Sequence, residues 1–162
     1  MKLSEFLRRD LIKIDLEAID KWEAIEELID YLVGVHEIRM SDRDEILECV
    51  MKRERSMSTG MEKGVAIPHG STNRVEEIVV AMGIAKKGIP FESMDGKPAK
   101  IVILLIIPKD RFQKHVRTLA GIARLLNNDE IRREIISSNT PEELFNVIFC
   151  HEESEIQQEK YF

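Results

Sequence analysis

The stretch Ile101-Val102-Ile103-Leu104-Leu105-Ile106-Ile107 is apolar at every position. Aliphatic and β-branched residues favour a strand, and a strand without a polar position has no side to offer to water. It must lie inside a sheet with cover on both faces. Pro108 and Asp110 end it. The run is far shorter than the ~20 residues a membrane-spanning helix needs. One such strand commits the chain to a layered arrangement, because packed elements above and below must supply the cover.

The flanking segments supply helices. Asp20 is placed as an N-cap with Glu23 three residues on, and Trp22, Ile25, Leu28, Ile29 and Leu32 recur at helical spacing. This pattern predicts a helix over 21–34, ended by Gly34. Ser41 opens a second over 42–54, with Ile46, Leu47, Val50 and Met51 as its apolar stripe. Beyond the central strand, a helix over 112–126 puts His115, Leu119, Ile122 and Leu126 on one face. Asn128 caps another over 129–137, and Thr140-Pro141-Glu142-Glu143 combines an N-cap, a first-position proline and a capping-box glutamate. From Glu152 onward the chain is polar and is expected to fray. Residues 3–9 read as a short helix, and Leu11-Ile12-Lys13-Ile14, 64–67 and 78–84 read as strands. Gly88-Ile89-Pro90 and Asp95-Gly96 read as turns.

Composition narrows the function classes. The 162 residues suffice for one domain with a sizeable core. A net charge of -6 disfavours a nonspecific nucleic-acid binder, without excluding a local basic patch. Cys49 and Cys150 are far apart and match no metal spacing, as expected of reduced thiols in a cytoplasmic protein. The start, MKLSEFLRRD, lacks the apolar core of a signal peptide, and no membrane segment is expected.

The chemistry points to Gly64-Val65-Ala66-Ile67-Pro68-His69-Gly70. Pro68 biases Ile67 to an extended backbone, so a strand is expected to stop there and leave His69 at its carboxyl edge. Strand ends of this kind are where α/β domains place ligand chemistry. An imidazole with its ordinary pKa of ~6.5 is a neutral nucleophile at physiological pH. Upstream lie Arg53 and Arg55, then the hydroxyl-rich loop Ser58-Thr59-Gly60. Guanidinium, hydroxyl and backbone N–H groups are the donors a phosphate needs. His115, in the first turn of the helix after the central strand, comes near His69 if that strand is the neighbour. A histidine attacking phosphorus amid positioned donors makes a coherent phosphotransfer site. Spacing alone leaves plainer alternatives: a turn residue at His69, a boundary residue at His115, a solvated helix end at Arg53 and Arg55, and an ordinary loop at Ser58 and Thr59. His36 reads as a helix-exit residue and His151 as a surface one. His69 and His115 together lack the carboxylate or thiolate that a closed metal site requires. Nucleotide-binding, metalloprotease and serine-hydrolase motifs are absent from the sequence.

Three blocks, in order and at matching spacing, resemble the type-2 enzyme IIA family of the phosphoenolpyruvate-dependent sugar phosphotransferase system. They are Arg53-Glu54 with Ser58-Thr59-Gly60 and 64–69; Phe91-Glu92-Ser93-Met94-Asp95-Gly96-Lys97-Pro98; and 101–108 leading through His115-Val116-Arg117-Thr118-Leu119-Ala120. That family includes fructose, mannitol and nitrogen-regulatory IIA proteins. The resemblance implies a single α/β domain, a mixed and mostly five-stranded β-sheet flanked by helices on both faces. It implies an enzyme IIA domain over 1–150, with 151–162 as a polar tail. It implies that His69 is phosphorylated by phospho-HPr or a paralogue, that His115 stabilises the phosphohistidine, and that Arg53, Ser58 and Thr59 hold the phosphate. The acceptor would be a cysteine of an enzyme IIB or a regulatory target protein. Neither cofactor, metal, nucleic acid nor membrane insertion is implied. Met57, Met61, Phe91 and Phe112 are the expected apolar docking face. One departure is Glu62, standing where many members carry a glycine; a positive φ there would strain it.

Overall fold

The structure, a computed structural model, describes residues 2–160. Two short 3-10 turns, Leu3–Glu5 and Arg9–Leu11, lead into strand β1 (Ile12–Lys13). Helix α1 (Lys21–Gly34) starts at Asp20, whose side chain accepts from the Glu23 amide, and Glu23 in turn accepts from the Ile19 amide. His36, with φ 65°, turns the chain out of the helix. Helix α2 (Arg43–Ser56) follows a 3-10 turn at Met40–Asp42, so Ser41 lies inside that turn and is not the cap.

Strands β2 (Val65–Ala66) and β3 (His69–Thr72) come next, then β4 (Val79–Ile89) and β5 (Ala99–Pro108). Helix α3 (Phe112–Leu126), helix α4 (Asp129–Ser137), capped by Asn128, and helix α5 (Pro141–Lys160) complete the domain.

The five strands form one mixed sheet. β1 pairs with β4 in parallel, β4 with β5 antiparallel, and β2 and β3 both with β5 in parallel. The pairs Val65↔Ile101, Ala66↔Val102 and His69↔Leu105 keep one constant offset, so β2 and β3 are a single row along the sheet edge. Pro68 does not end that row. Its carbonyl accepts from the Leu105 amide at 3.0 Å, but it has no N–H to return, and the ladder skips a step before resuming at His69. His69 therefore opens β3 and does not trail the strand. β5 is buried along 101–107, and its side chains alternate between faces, so helices cover both sides of the sheet.

Gly88 and Ile89 belong to β4 and do not form the expected turn. The β4–β5 register shifts between Ile84 and Ile89, and Gly88 sits in that irregular stretch at φ 80°. A Cβ on Gly88 would lie 2.8 Å from Pro98 Cβ, so both conformation and space require glycine.

The frayed tail is also corrected, up to the residues described. α5 runs on through Lys160. Glu152 is buried and accepts from the amides of Leu3 (2.7 Å) and Ser4 (3.0 Å), which caps the first 3-10 turn. Residues 161–162 of the expected tail lie outside the described residues. No described helix is long and apolar enough to cross a membrane.

Candidate active site

α2, β3 and the junction after β5 enclose a cleft of about 500 Å³. β3 and β5 run in parallel and finish together at Thr72↔Pro108, so the cleft lies at the carboxyl end of that strand pair. His69 opens into it. Cys49, Lys52, Arg53 and Ser56 line it from α2, Ser71 from β3, and Lys109 and Phe112 from the junction.

The orientation of His69 follows from one hydrogen bond. Its Nδ1 lies 3.0 Å from the Ile67 carbonyl oxygen, which can only accept. Nδ1 therefore carries the proton, and Nε2 keeps the free lone pair of a nucleophile. Burial pushes the His69 pKa below its ordinary 6.5; the Ile67 carbonyl opposes this, while the Arg53 charge adds to it and Glu54 works against it. The ring is thus neutral at pH 7. Phosphoryl uptake should stay level from about pH 8 down to 6.5 and decline only below that, as the ring protonates. Initial rates across this range check it, and an inflection above 6.5 contradicts it. His115 is shifted downward too, chiefly by burial. Both rings bind a proton more readily unfolded than folded, so together they lower stability as pH falls through 6.5.

Arg53 shares the cleft with His69, and its Nη1 donates to the Met57 carbonyl at 2.8 Å. Arg55 instead pairs with Glu48 on the exposed side.

Ser58 and Thr59 are turned away from the cleft lining. Ser58 Oγ donates to the Phe91 carbonyl (2.6 Å) and accepts from the Gly60 amide (3.1 Å). Thr59 donates its amide (2.9 Å) and its hydroxyl (2.6 Å) to the buried Glu54 carboxylate. Both side chains fix the loop that follows Arg53 and have no hydroxyl hydrogen left to offer a phosphate. Lys21 Nζ, itself buried, lies 3.4 Å from Glu54 and completes this internal cluster.

His115 is buried on α3. Its ring meets Phe6 edge-on at 6.1 Å between centroids, and its Nδ1 is 3.2 Å from Thr118 Oγ1. It is not among the residues lining the cleft, and the two imidazoles are not hydrogen-bonded to each other. Of the expected docking face, Met57 and Phe112 are exposed and Met61 is half-buried, whereas Phe91 belongs to the core. The strain expected at Glu62 falls one residue later. Lys63 takes the left-handed conformation at φ 63°, with its amide held by Asp95 at 2.8 Å.

Lys52, Ser56, Ser71 and Lys109 are cleft residues that sequence reasoning did not single out. Lys52, Arg53 and Ser56 share one end of a helix, a spacing visible in the sequence. Lys109 follows the central strand directly, a position at which loops in this class of sheet carry function.

A neutral imidazole opening the edge strand β3 of a mixed sheet, over a cleft lined by Lys52, Arg53 and Lys109, is the form of an enzyme IIA phosphocarrier. The chain belongs to the family described as phosphoenolpyruvate-dependent sugar phosphotransferase system, EIIA 2, whose profile matches residues 5–150. Among curated relatives, the fructose-specific EIIABC component of Bacillus subtilis is 30% identical over 94% of this chain, which spans only 24% of that protein. The fructose-specific EIIA component of Haloferax volcanii is 30% identical over 86% of this chain and 89% of its own length. The crystal structure of nitrogen regulatory protein IIA-Ntr from Neisseria meningitidis superposes with a TM-score of 0.81 at 28% identity, covering 90% of this chain and 98% of that one. The fold is also shared, at TM-score 0.75 and 18% identity over 89% and 97% of the two chains, by the Escherichia coli enzyme IIA of mannitol, solved in complex with phosphorylated IIB.

Proposed function

We propose that His69 Nε2 takes a phosphoryl group from phospho-HPr, or a paralogue of it, and passes it to a cysteine of an enzyme IIB or holds it as a signal for regulatory target proteins. The observation carrying this reading is the Nδ1 hydrogen bond to Ile67, which leaves the Nε2 lone pair facing a cleft with Arg53 on its wall. In the forward step the Nε2–P bond forms as the donor's P–N bond breaks. The charge on the phosphoryl oxygens is met by Arg53, and no metal is needed. Transfer between two nitrogens, or from nitrogen to a thiolate, is close to balanced, so it reverses readily. Ser58 and Thr59 serve the site by fixing the loop beside Arg53. The IIA unit is residues 1–150, continued by the remainder of α5, whose Glu152 holds the first 3-10 turn, and it acts in the cytoplasm without nucleic acid or insertion in a membrane.

The fructose-specific relatives support a transport role, and the likeness to IIA-Ntr supports a regulatory one. Incubation with phosphoenolpyruvate, enzyme I and HPr should place acid-labile phosphate on the protein and none on His69→Ala. Label on the His69→Ala protein would move the site elsewhere. Onward transfer to a purified IIB separates the transport role from the purely regulatory one.

His115 stabilises the phosphohistidine, in this reading, through the first turn of α3. Its buried ring packs on Phe6 and anchors the turn that carries Phe112 of the cleft lining. His115→Ala should still accept phosphate but pass it on about tenfold more slowly, a loss of roughly 1.4 kcal/mol in the transfer barrier. Unchanged transfer kinetics would remove His115 from the mechanism.

A further inference from the structure

Glu152 is a buried carboxylate that the phosphoryl chemistry does not use. Its Oε2 accepts from the Leu3 amide at 2.7 Å and its Oε1 from the Ser4 amide at 3.0 Å. The next residue, Glu153, pairs with Lys2 Nζ at 2.5 Å. Two consecutive carboxylates of α5 thus hold three consecutive residues near the other end of the chain. Leu3, Ser4 and Glu152 all fall outside residues 5–150, the span of the family profile.

The segment they hold is weak on its own. Leu3–Glu5 is a single 3-10 turn, and its N-cap, Lys2, makes no side-chain cap bond. Such a turn has few hydrogen bonds and lies where chains ordinarily fray. Its first amides have no partner inside the turn. Glu152 gives an acceptor to two of them, through charge-assisted bonds.

The turn ends on Phe6, whose amide donates to the Leu3 carbonyl at 3.0 Å. The Phe6 ring packs on His115, with 6.1 Å between centroids and 82° between planes. His115 is 2% exposed, and its Nδ1 meets Thr118 Oγ1. Thr118 is on His115's own helix, so Phe6 supplies the ring's contact from outside α3. The path from Glu152 to His115 is therefore two hydrogen bonds, one turn of backbone and one aromatic contact.

Resting on the reading of His115 as the stabiliser of the phosphohistidine, we propose that Glu152 is a positioning residue for it: its carboxylate locks the first turn of the chain so that Phe6 holds the His115 ring in place. Without the tie the turn loosens, Phe6 withdraws and water reaches the imidazole. Phosphoryl transfer depends on groups already in position, so a loosened His115 supports it less well.

The test follows the His115 ring protons by NMR across a pH titration, in wild type, Glu152→Ala, Glu152→Gln and Phe6→Ala. All are kept at a temperature where thermal unfolding shows them folded. Burial holds the His115 midpoint below its ordinary value. Glu152→Ala and Phe6→Ala should each raise it by about half a pH unit or more, towards ~6.5, with the His69 midpoint unmoved. Lys114, Arg111 and Glu77 set the charge around the ring, Glu5 lies on the turn itself, and none of these is altered. Removing the Glu152 charge would by itself move the midpoint down, so a rise reports exposure. Glu152→Gln keeps one acceptor oxygen for the two amides and should fall between wild type and alanine.

In transfer assays Glu152→Ala should accept phosphate from phospho-HPr at the wild-type rate and pass it to a purified IIB about threefold more slowly. Added to His115→Ala, it should slow transfer no further, since both act through one ring. A His115 midpoint that stays put in Glu152→Ala, or rises together with that of His69, overturns the proposal and leaves His115 in the mechanism. So does a full second loss in the double variant. If His115→Ala alone transfers at the wild-type rate, the reading of His115 fails and the proposal falls with it.

Discussion

His69→Ala is expected to take up no phosphoryl group from phospho-HPr above background, while remaining folded. The reasons for the two halves of this result are separate. The chemistry is lost because the cleft offers no substitute. Of the other nucleophilic groups in the lining, Cys49 is the softest, and burial raises its thiol pKa while its Sγ donates to the Ser71 carbonyl at 2.7 Å. A protonated, hydrogen-bonded thiol attacks phosphorus poorly. The fold survives because β3 is joined to β5 through backbone groups, which alanine keeps. The side chain makes one hydrogen bond, to Ile67, within its own row of the sheet. Its loss costs about 1 kcal/mol. Intact-mass measurement after incubation, with thermal unfolding alongside, reads both. Phosphate retained by His69→Ala, or a protein that no longer unfolds cooperatively, would contradict this account.

The sequence made the candidate residue, His69, stand out and its surroundings much less so. A proline beside a histidine fits a turn as readily, and it was the three family blocks together that singled out His69, while the apolar run at 101–107 located the strand against which that histidine is registered. The error at Pro68 has a simple cause. Proline's missing N–H interrupts a ladder, but an edge row still pairs through its carbonyl, and only the partner strand reveals that. Ser58 and Thr59 look like phosphate ligands because their hydroxyls are adjacent to an arginine. Their engagement depends on Glu54 and Phe91, and nothing local in the sequence shows that these approach. Lys109 and Lys52 were hidden for the same reason, since they meet only when α2 packs beside the end of β5. Gly88 was misread because glycine marks a turn and a strand irregularity equally well. The capped helices were the most legible parts, because Asp20, Asn128 and Thr140 each act within three residues of their own position.

Glu54→Ala is expected to destabilise the protein by about 3–5 kcal/mol, the usual consequence of breaking a buried ion pair from one side. Glu54 is 2% exposed and Lys21 is 4% exposed, with Nζ and Oε1 at 3.4 Å. At that separation much of the carboxylate's value lies in its other bonds, to the amide and hydroxyl of Thr59. Removing it leaves a buried ammonium with the Trp22 ring face, 4.8 Å away, and Glu92, 3.5 Å away and largely in water, and leaves two donors of Thr59 without an acceptor. Glu54→Gln separates these contributions. It keeps an acceptor for Thr59 but not the charge, so it should lose less than alanine. Pairing Glu54→Leu with Lys21→Met removes both charges and should recover stability relative to Glu54→Ala, because no ion is then stranded. The effect reaches the active site through the chain. Arg53 adjoins Glu54 and is bonded to the Met57 carbonyl, at the start of the loop that Thr59 anchors. Freeing that loop should therefore slow phosphorylation of His69 even at temperatures where the variant is folded. Urea denaturation gives the stability and single-turnover labelling gives the rate. A loss below about 1 kcal/mol would mean that water reaches Lys21 and that the pair is not the anchor the geometry describes.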